Sequence, residues 1–337
     1  MNKPLQTTAI TLAAGLLGAA IAALFGVPAG ALIGSTLGVA VLATTGVQTG
    51  LPTRLRDFAF ATIGISLGSG IDERLFEQLG AWGISLTILV VSLVVTVVTG
   101  RFFLMRVFGL DAETATLASA PGTMSNAIAI ASEGRGDATA VMFLQVMRLL
   151  ALVVLVPPLA ITLDSPVIGA GQAADVISLP VLAALVVLAV VAGMAGTRLG
   201  LPAASLLAGM VLSAGGHAIG IVQGASPGWL IFVAFAATGS VLGARMSRIT
   251  LKQVRKYAVA GLATVGTAIV VSLAFAVIAQ SVTGLPFGQI WIAYAPGGVE
   301  AMAAIGLALG HDPAYVAVHH FARIFALILI VPAVLRF

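Results

Sequence analysis

The sequence predicts an all-α polytopic membrane protein, and three observations carry that prediction: scarce charge, recurrent apolar runs of bilayer length, and abundant glycine. Charged residues make up 8% of the chain, against roughly a quarter in an ordinary soluble domain. So few charges cannot cover a soluble fold of 337 residues. Runs of about twenty apolar residues recur from end to end, which is the length a bilayer crossing needs. Lipid satisfies no backbone N–H or C=O, so crossings must be helices or a closed barrel. These runs are too long and too uniformly apolar for the alternating strands of a barrel. The 39 glycines suit helices that approach closely through small residues.

Composition also excludes. Without cysteine there are no disulfides and no thiolate metal sites. The formal charge of +4 comes from basic residues at span ends, where they set orientation rather than grip phosphates. No nucleic-acid partner is expected. The opening Met1-Asn2-Lys3-Pro4 has some signal-peptide character, but the apolar run continues through Leu24 and Phe25 and reads as a retained helix. The expected location is a bacterial inner (cytoplasmic) membrane, crossed many times.

About twelve hydrophobic segments can be placed. In the first half they lie near 6–26, 29–49, 55–71, 82–107, 112–132 and 138–163. In the second they lie near 178–199, 202–222, 228–246, 257–282, 288–309 and 313–335. The stretch from Asp164 to Asp175 is the most polar break at mid-chain, dividing the chain into repeats over 1–164 and 176–337.

The two halves align at a nearly constant offset, the mark of duplication. Gly26-Val27-Pro28-Ala29 recurs as Gly200-Leu201-Pro202-Ala203, and Gly64 and Gly68 recur as Gly239 and Gly243. Ala118-Ser119-Ala120-Pro121-Gly122 recurs as Ala293-Tyr294-Ala295-Pro296-Gly297. Asp137, Arg148 and Pro157 recur as Asp312, Arg323 and Pro332.

Loop charge orients the copies. Asp72, Glu73, Arg74 and Glu77 follow the third segment, whereas Arg245, Arg248, Lys252, Arg255 and Lys256 follow its counterpart. Conversely, Arg54, Arg56, Arg101 and Arg106 flank first-half segments whose counterparts carry no basic residue. Basic residues mark the cytoplasmic face, so equivalent loops lie on opposite faces and the repeats are inverted. Inversion needs an odd number of crossings per half. One of the six segments must therefore be re-entrant, half-spanning or fused to a neighbour: either the short second segment or the Pro-Gly segment. Ten full crossings is the working figure.

Pro121-Gly122 and Pro296-Gly297 fall in the middle of apolar segments and should break them near mid-depth. The freed backbone groups must face protein or a water-filled cavity. Paired breaks at matching positions of two repeats point to a transporter's binding site, and the half-helix starting after each break aims a positive end at an anion. The bland alternative is a pair of kinks. Thr123, Ser125 and Asn126 supply polarity at the first break, and Gly298 and Glu300 lie at the second.

Glu300 is expected to be paired with an arginine or protonated, which suits a proton-coupling group as well as a structural ion pair. Arg148 and Arg323 are equivalent cations near mid-depth, and against Glu300 they leave one positive charge over. That surplus favours an anionic substrate, with snorkelling to the interface as the alternative. Gln145 and His320 stand three residues before each arginine, on the same helix face. His320 reads as a proton relay or hydrogen-bond donor. Neighbours His319 and His320 point about 100° apart on a helix and, with His311, make a poor metal set. The glycines spaced by four at 30, 34 and 38, and the pairs at 64/68 and 239/243, read as close helix packing. Phosphate loops and catalytic triads are absent, so neither a cofactor nor an ATP-driven cycle is expected.

The duplicated Pro-Ala stretch and the two Ala-Pro-Gly segments resemble the bacterial membrane AbrB-type family across the whole chain, a family also labelled AbrB duplication or ammonia monooxygenase. Those labels imply a regulator or an oxygenase. More distantly, Pro121 to Asn126 and the following Gly136-Asp137 resemble the broken-helix signature of bile-acid–sodium symporter-like and auxin-efflux-like carriers. That resemblance implies broken helices crossing at the midplane, within a core domain that moves against a panel domain. The second half departs from it, with Glu300 and no counterpart of Asn126, which favours protons over sodium.

The expectation is a non-enzymatic secondary transporter of a small organic anion. Its site would comprise Pro121, Gly122, Thr123, Ser125, Asn126, Arg148, Pro296, Gly297, Gly298, Glu300, His320 and Arg323. The expected partners are the anion, protons and the bilayer, with a homodimer left open. The alternatives are a membrane-embedded regulator, disfavoured by the lack of a polar tail after Leu335, and a membrane metalloenzyme.

Overall fold

Proline and glycine punctuate a chain otherwise made of helix formers, and the helices stop where they stand. The computed structural model describes every residue except 1–2, 71–73, 122–123, 164–174 and 337, and only the backbone at 3, 74–79, 125–126 and 313.

The first half holds α1 (Lys3–Leu24), α2 (Gly30–Thr44), α3 (Thr53–Gly68), α4 (Arg74–Phe108), α5 (Ala112–Ser119), α6 (Met124–Ser132) and α7 (Ala138–Leu163). The second repeats the order as α8 (Leu179–Arg198), α9 (Ala204–Ala218), α10 (Gly228–Ala244), α11 (Leu251–Thr283), α12 (Phe287–Tyr294), α13 (Val299–Ala308) and α14 (Pro313–Leu335). Among the described residues seven helices are long and apolar enough to cross a membrane: α1, α4, α7, α8, α10, α11 and α14, with α10 continuing to Arg248. The protein is therefore an all-α, multi-pass membrane protein. At 15 residues each, α2 and α9 reach only about 22 Å, short of a hydrocarbon core of about 30 Å.

Packing interleaves the halves. One compact body comprises Met1–Glu77, Ser165–Ser247 and Ala303–Ala314; the other comprises Gln78–Asp164, Arg248–Met302 and Tyr315–Phe337. Each takes helices from both repeats.

In the first body, matching turns precede α2 and α9. Ala29 and Ala203 cap these helices with left-handed backbones, at φ 52° and 47°. That conformation costs a residue with a Cβ about 1–2 kcal/mol, and the chain adopts it at the same place in both repeats. α3 packs on α9, and α10 on α2. A Cβ on Gly64 would stand 2.1 Å from the Leu206 carbonyl oxygen, and one on Gly239 would stand 2.4 Å from that of Leu32. Only glycine permits this approach; Gly239 also faces the Ser35 hydroxyl, whereas Gly64 meets backbone alone.

In the second body α7 packs against α5, α6, α11 and α12. Leu104, Ala115, Phe143, Leu144 and Ala260 form part of its core. The Pro-Gly segment of the first half folds back on itself. Thr114, early in α5, accepts from the N–H of Asp137 at 2.7 Å, and Arg135 pairs with Glu113 at 3.1 Å. Entry and exit therefore lie together, so α5 and α6 form a re-entrant hairpin. This differs from the straight broken crossing implied by the carrier resemblance and selects the re-entrant option for the Pro-Gly segment. The reason is local: the five residues 133–137 could not return across two collinear half-helices spanning about 25 Å.

Candidate functional site

A residue before proline is driven to extended backbone, and α5 and α12 end for that reason. Ala120 and Ala295, each preceding a proline, have ψ of 116° and 131°. Each half-helix then leaves its last carbonyls without an intrahelical partner.

In the first half two side chains of α7 satisfy all four. Gln145 Nε2 donates to the carbonyls of Leu117 at 2.8 Å and Ala120 at 3.0 Å. Arg148 donates to Ala118 at 3.1 Å, Ser119 at 3.3 Å and Ala120 at 3.0 Å, and also to Gln145 Oε1. In the second half α14 does the same work on α12. His320 Nε2 donates to Ile292 O at 3.0 Å, and Arg323 donates to Ala295 O at 2.7 Å and to Gly297 O. Gln145–Leu117, Arg148–Ala120, His320–Ile292 and Arg323–Ala295 are all 28 residues apart. Each later helix therefore runs parallel to the half-helix it caps.

Arg148 and Arg323, expected among the substrate-binding residues, are both engaged with helix ends. A cation at a helix C-terminus meets both the free carbonyls and the negative end of the dipole. Both are fully desolvated, and backbone carbonyls are the partners such charges take inside a membrane. His320 acts as the hydrogen-bond donor of the two roles expected for it.

The breaks also lie near each other. Arg323 feels Arg148 and Glu300 as charged neighbours. A Cβ on Gly298 would stand 3.3 Å from Leu149, the residue after Arg148, and 3.4 Å from Glu300 Oε2. Pro121, Pro296 and Gly297 are buried, and Glu300 is half-buried in the first turn of α13. Gly122 and Thr123 lie outside the described residues, as do the side chains of Ser125 and Asn126. Arg323 Nε and His320 Nδ1 are buried without a hydrogen-bond partner among the described residues.

Sequence reasoning missed a second polar node in the same body. Ser85 Oγ on α4 lies 3.1 Å from Tyr294 Oη and 3.0 Å from His319 Nε2, and also bonds Tyr315 Oη. Tyr294 Oη donates to Ser85 O at 2.6 Å, and His319 Nδ1 bonds Tyr315 O at 2.8 Å. The indole of Trp82 meets Tyr315 edge-on at 5.5 Å. Ser85 is 230 residues from Tyr315, so no local spacing could have announced the group. Among the described residues no three His, Asp or Glu gather as a metal site, and His319 and His320 bond different partners. An open groove of ≈ 540 Å³ in the other body is lined by aliphatic side chains of α8 with Phe58, Trp229 and Arg54, a lipid-like lining.

A polytopic helical membrane protein, with two proline-broken segments capped by equivalent arginines, is the class these features define. The chain belongs to the AbrB family, described as transition state regulatory protein AbrB, which matches residues 1–73 and 32–337. It is 27% identical over 291 residues to "Putative regulator AbrB" of Escherichia coli K12, covering 83% of this chain and 81% of that protein. It is 25% identical over 307 residues to "Uncharacterized protein YhjN" of Bacillus subtilis 168, covering 86% and 80%.

Proposed function

We propose that this protein is a proton-coupled secondary transporter of a small organic anion, built from two inverted repeats in the bacterial inner membrane. The observation that carries the reading is the pair of half-helix breaks, each capped by its own arginine, Arg148 at the first and Arg323 at the second, with the two guanidinium groups near enough to act on each other. Irregular backbone at membrane depth persists where it lines a cavity or is enclosed by protein, and paired breaks in two repeats are the usual place for a transported solute.

Charge supports an anion. The two half-helix C-termini contribute about −0.5 each, and the N-termini of α6 and α13 about +0.5 each, so the dipoles cancel. Two arginines against the single Glu300 then leave positive charge in surplus. The solute would bind at the N-terminal ends of α6 and α13, beside Glu300. The arginines hold the breaks open.

Uptake into proteoliposomes of a panel of mono- and dicarboxylates, under imposed pH or sodium gradients, tests the reading. The expected result is accumulation driven by the pH gradient and abolished by Glu300→Gln. Neither uptake nor counterflow of any member would overturn it. A second reading, favoured by the printed names of the family and of the Escherichia coli relative, is a membrane-embedded regulator. It predicts saturable binding of a solute without movement across the bilayer. Cysteine labelling tests the inversion: linkers 72–78 and 247–256 should react from opposite faces.

A further inference from the structure

We propose that His319, with Ser85, Tyr294 and Tyr315, forms a proton-binding site. His319 Nδ1 faces the Tyr315 carbonyl, which can only accept, so Nδ1 carries a hydrogen and Nε2 of the neutral ring is bare. Four oxygen-centred contacts remain: Ser85 Oγ with His319 Nε2, with Tyr315 Oη and with Tyr294 Oη, and Tyr294 Oη with Ser85 O. Three hydroxyl hydrogens among these residues, those of Ser85, Tyr294 and Tyr315, serve them. The Ser85 hydrogen goes to Nε2, the Tyr315 hydrogen to Ser85 Oγ, and the Tyr294 hydrogen to Ser85 O. The Ser85–Tyr294 contact at 3.1 Å is left with two lone pairs facing and nothing between.

One added proton removes the shortage. It lands on Nε2, which now donates to Ser85 Oγ. The Ser85 hydrogen, released from the ring, turns to Tyr294 Oη. Four hydrogens then serve four contacts, and both N–H groups of the imidazolium have acceptors, the condition for holding a charge away from water. The groups facing the ring are Trp82 and Ser85 from α4, Tyr294 from α12, and Tyr315 and His320 on α14 itself, with Arg323 one turn further on. Arg323 opposes a second cation, so entry of an anion beside Arg323 would favour proton uptake. That role in coupling rests on the transport reading; the proton site itself does not.

Nitrogen NMR of histidine-labelled full-length protein in lipid nanodiscs, titrated from about pH 8 to about pH 3, reads the ring directly. His319→Gln identifies its resonances among those of the four histidines. The expected result is conversion from one bare nitrogen to two protonated ones. Tyr294→Phe abolishes the shorted contact and should move the midpoint about one pH unit toward acid. Tyr315→Phe keeps the shortage and should leave the midpoint near its original place. A ring that stays neutral throughout the range in folded wild type overturns the proposal, as does a midpoint indifferent to Tyr294→Phe. Titration without anion-driven proton flux in proteoliposomes would leave the site standing and remove its coupling role.

Discussion

Gln145 and His320 are counterparts that do one job with different chemistry: each places a side-chain Nε2 against the carbonyl at the same turn of its half-helix, Leu117 at 2.8 Å and Ile292 at 3.0 Å. Glutamine at one position shows what the other requires. His320→Gln should therefore keep thermal stability within about 1 kcal/mol, whereas His320→Leu should cost about 1–3 kcal/mol by orphaning the carbonyl. Unfolding of both variants in detergent gives the comparison. A Gln variant as damaged as the Leu variant would show that the imidazole has a further task.

Arg148 carries more than a hydrogen bond. Arg148→Met should lower stability by about 3 kcal/mol, because three buried carbonyls lose a charged donor. Arg148→Lys should recover only part of the loss, since a compact ammonium cannot reproduce the planar fork. Denaturation midpoints decide the order. Wild-type stability in the Met variant would mean that the carbonyls find other partners.

Gly64→Ala and Gly239→Ala should be destabilising by similar amounts, about 1–3 kcal/mol each, because each drives a methyl into a facing backbone carbonyl. The matched magnitude is the informative part, since Leu206 and Leu32 occupy the same place in the repeat. Paired thermal melts test it, and a large loss in one variant alone would break the equivalence.

Asp137 gives a pH signature. Burial pushes its carboxyl up, but the N–H groups of Ala140 and Thr139, the Tyr257 hydroxyl and the Lys256 charge together hold it below the ordinary carboxylate value. A group depressed in the folded state stabilises fully above its unfolded value of about 3.9 and loses that contribution as pH falls through the folded one. Stability should therefore decline below about pH 4, and Asp137→Asn, which keeps an acceptor for the helix cap, should flatten that part of the profile. An unchanged acid limb would place the titrating group elsewhere.

The segmentation was legible because its causes are local. Proline fixes Ala120 and Ala295 as helix ends, and the offset between Gly64 and Gly239 exposes the duplication. The arginines were visible as equivalent buried cations, yet their partners were not. Whether a guanidinium meets a solute or a carbonyl depends on where the parallel helix lies, and sequence spacing within one helix does not contain that. The Ser85 node was illegible for the same reason: α4, α12 and α14 supply one polar group or a few each, and an isolated serine in a span looks like any other. Pro121 also left the re-entrant fold undecided. A proline stops a helix without saying which way the chain turns, and the Thr114–Asp137 bond settles that across 23 residues.

The reciprocal glycine contacts carry a consequence for ancestry. Gly64 of α3 meets Leu206 of α9, while Gly239 of α10 meets Leu32 of α2, so one repeat holds both the knob and the socket. A half-length chain with this sequence is self-complementary, and two separate copies could build the same isologous interface. In this chain the tether fixes the stoichiometry of the two halves and raises their effective concentration without any new contact. Gln145 against His320 is one place where the halves differ.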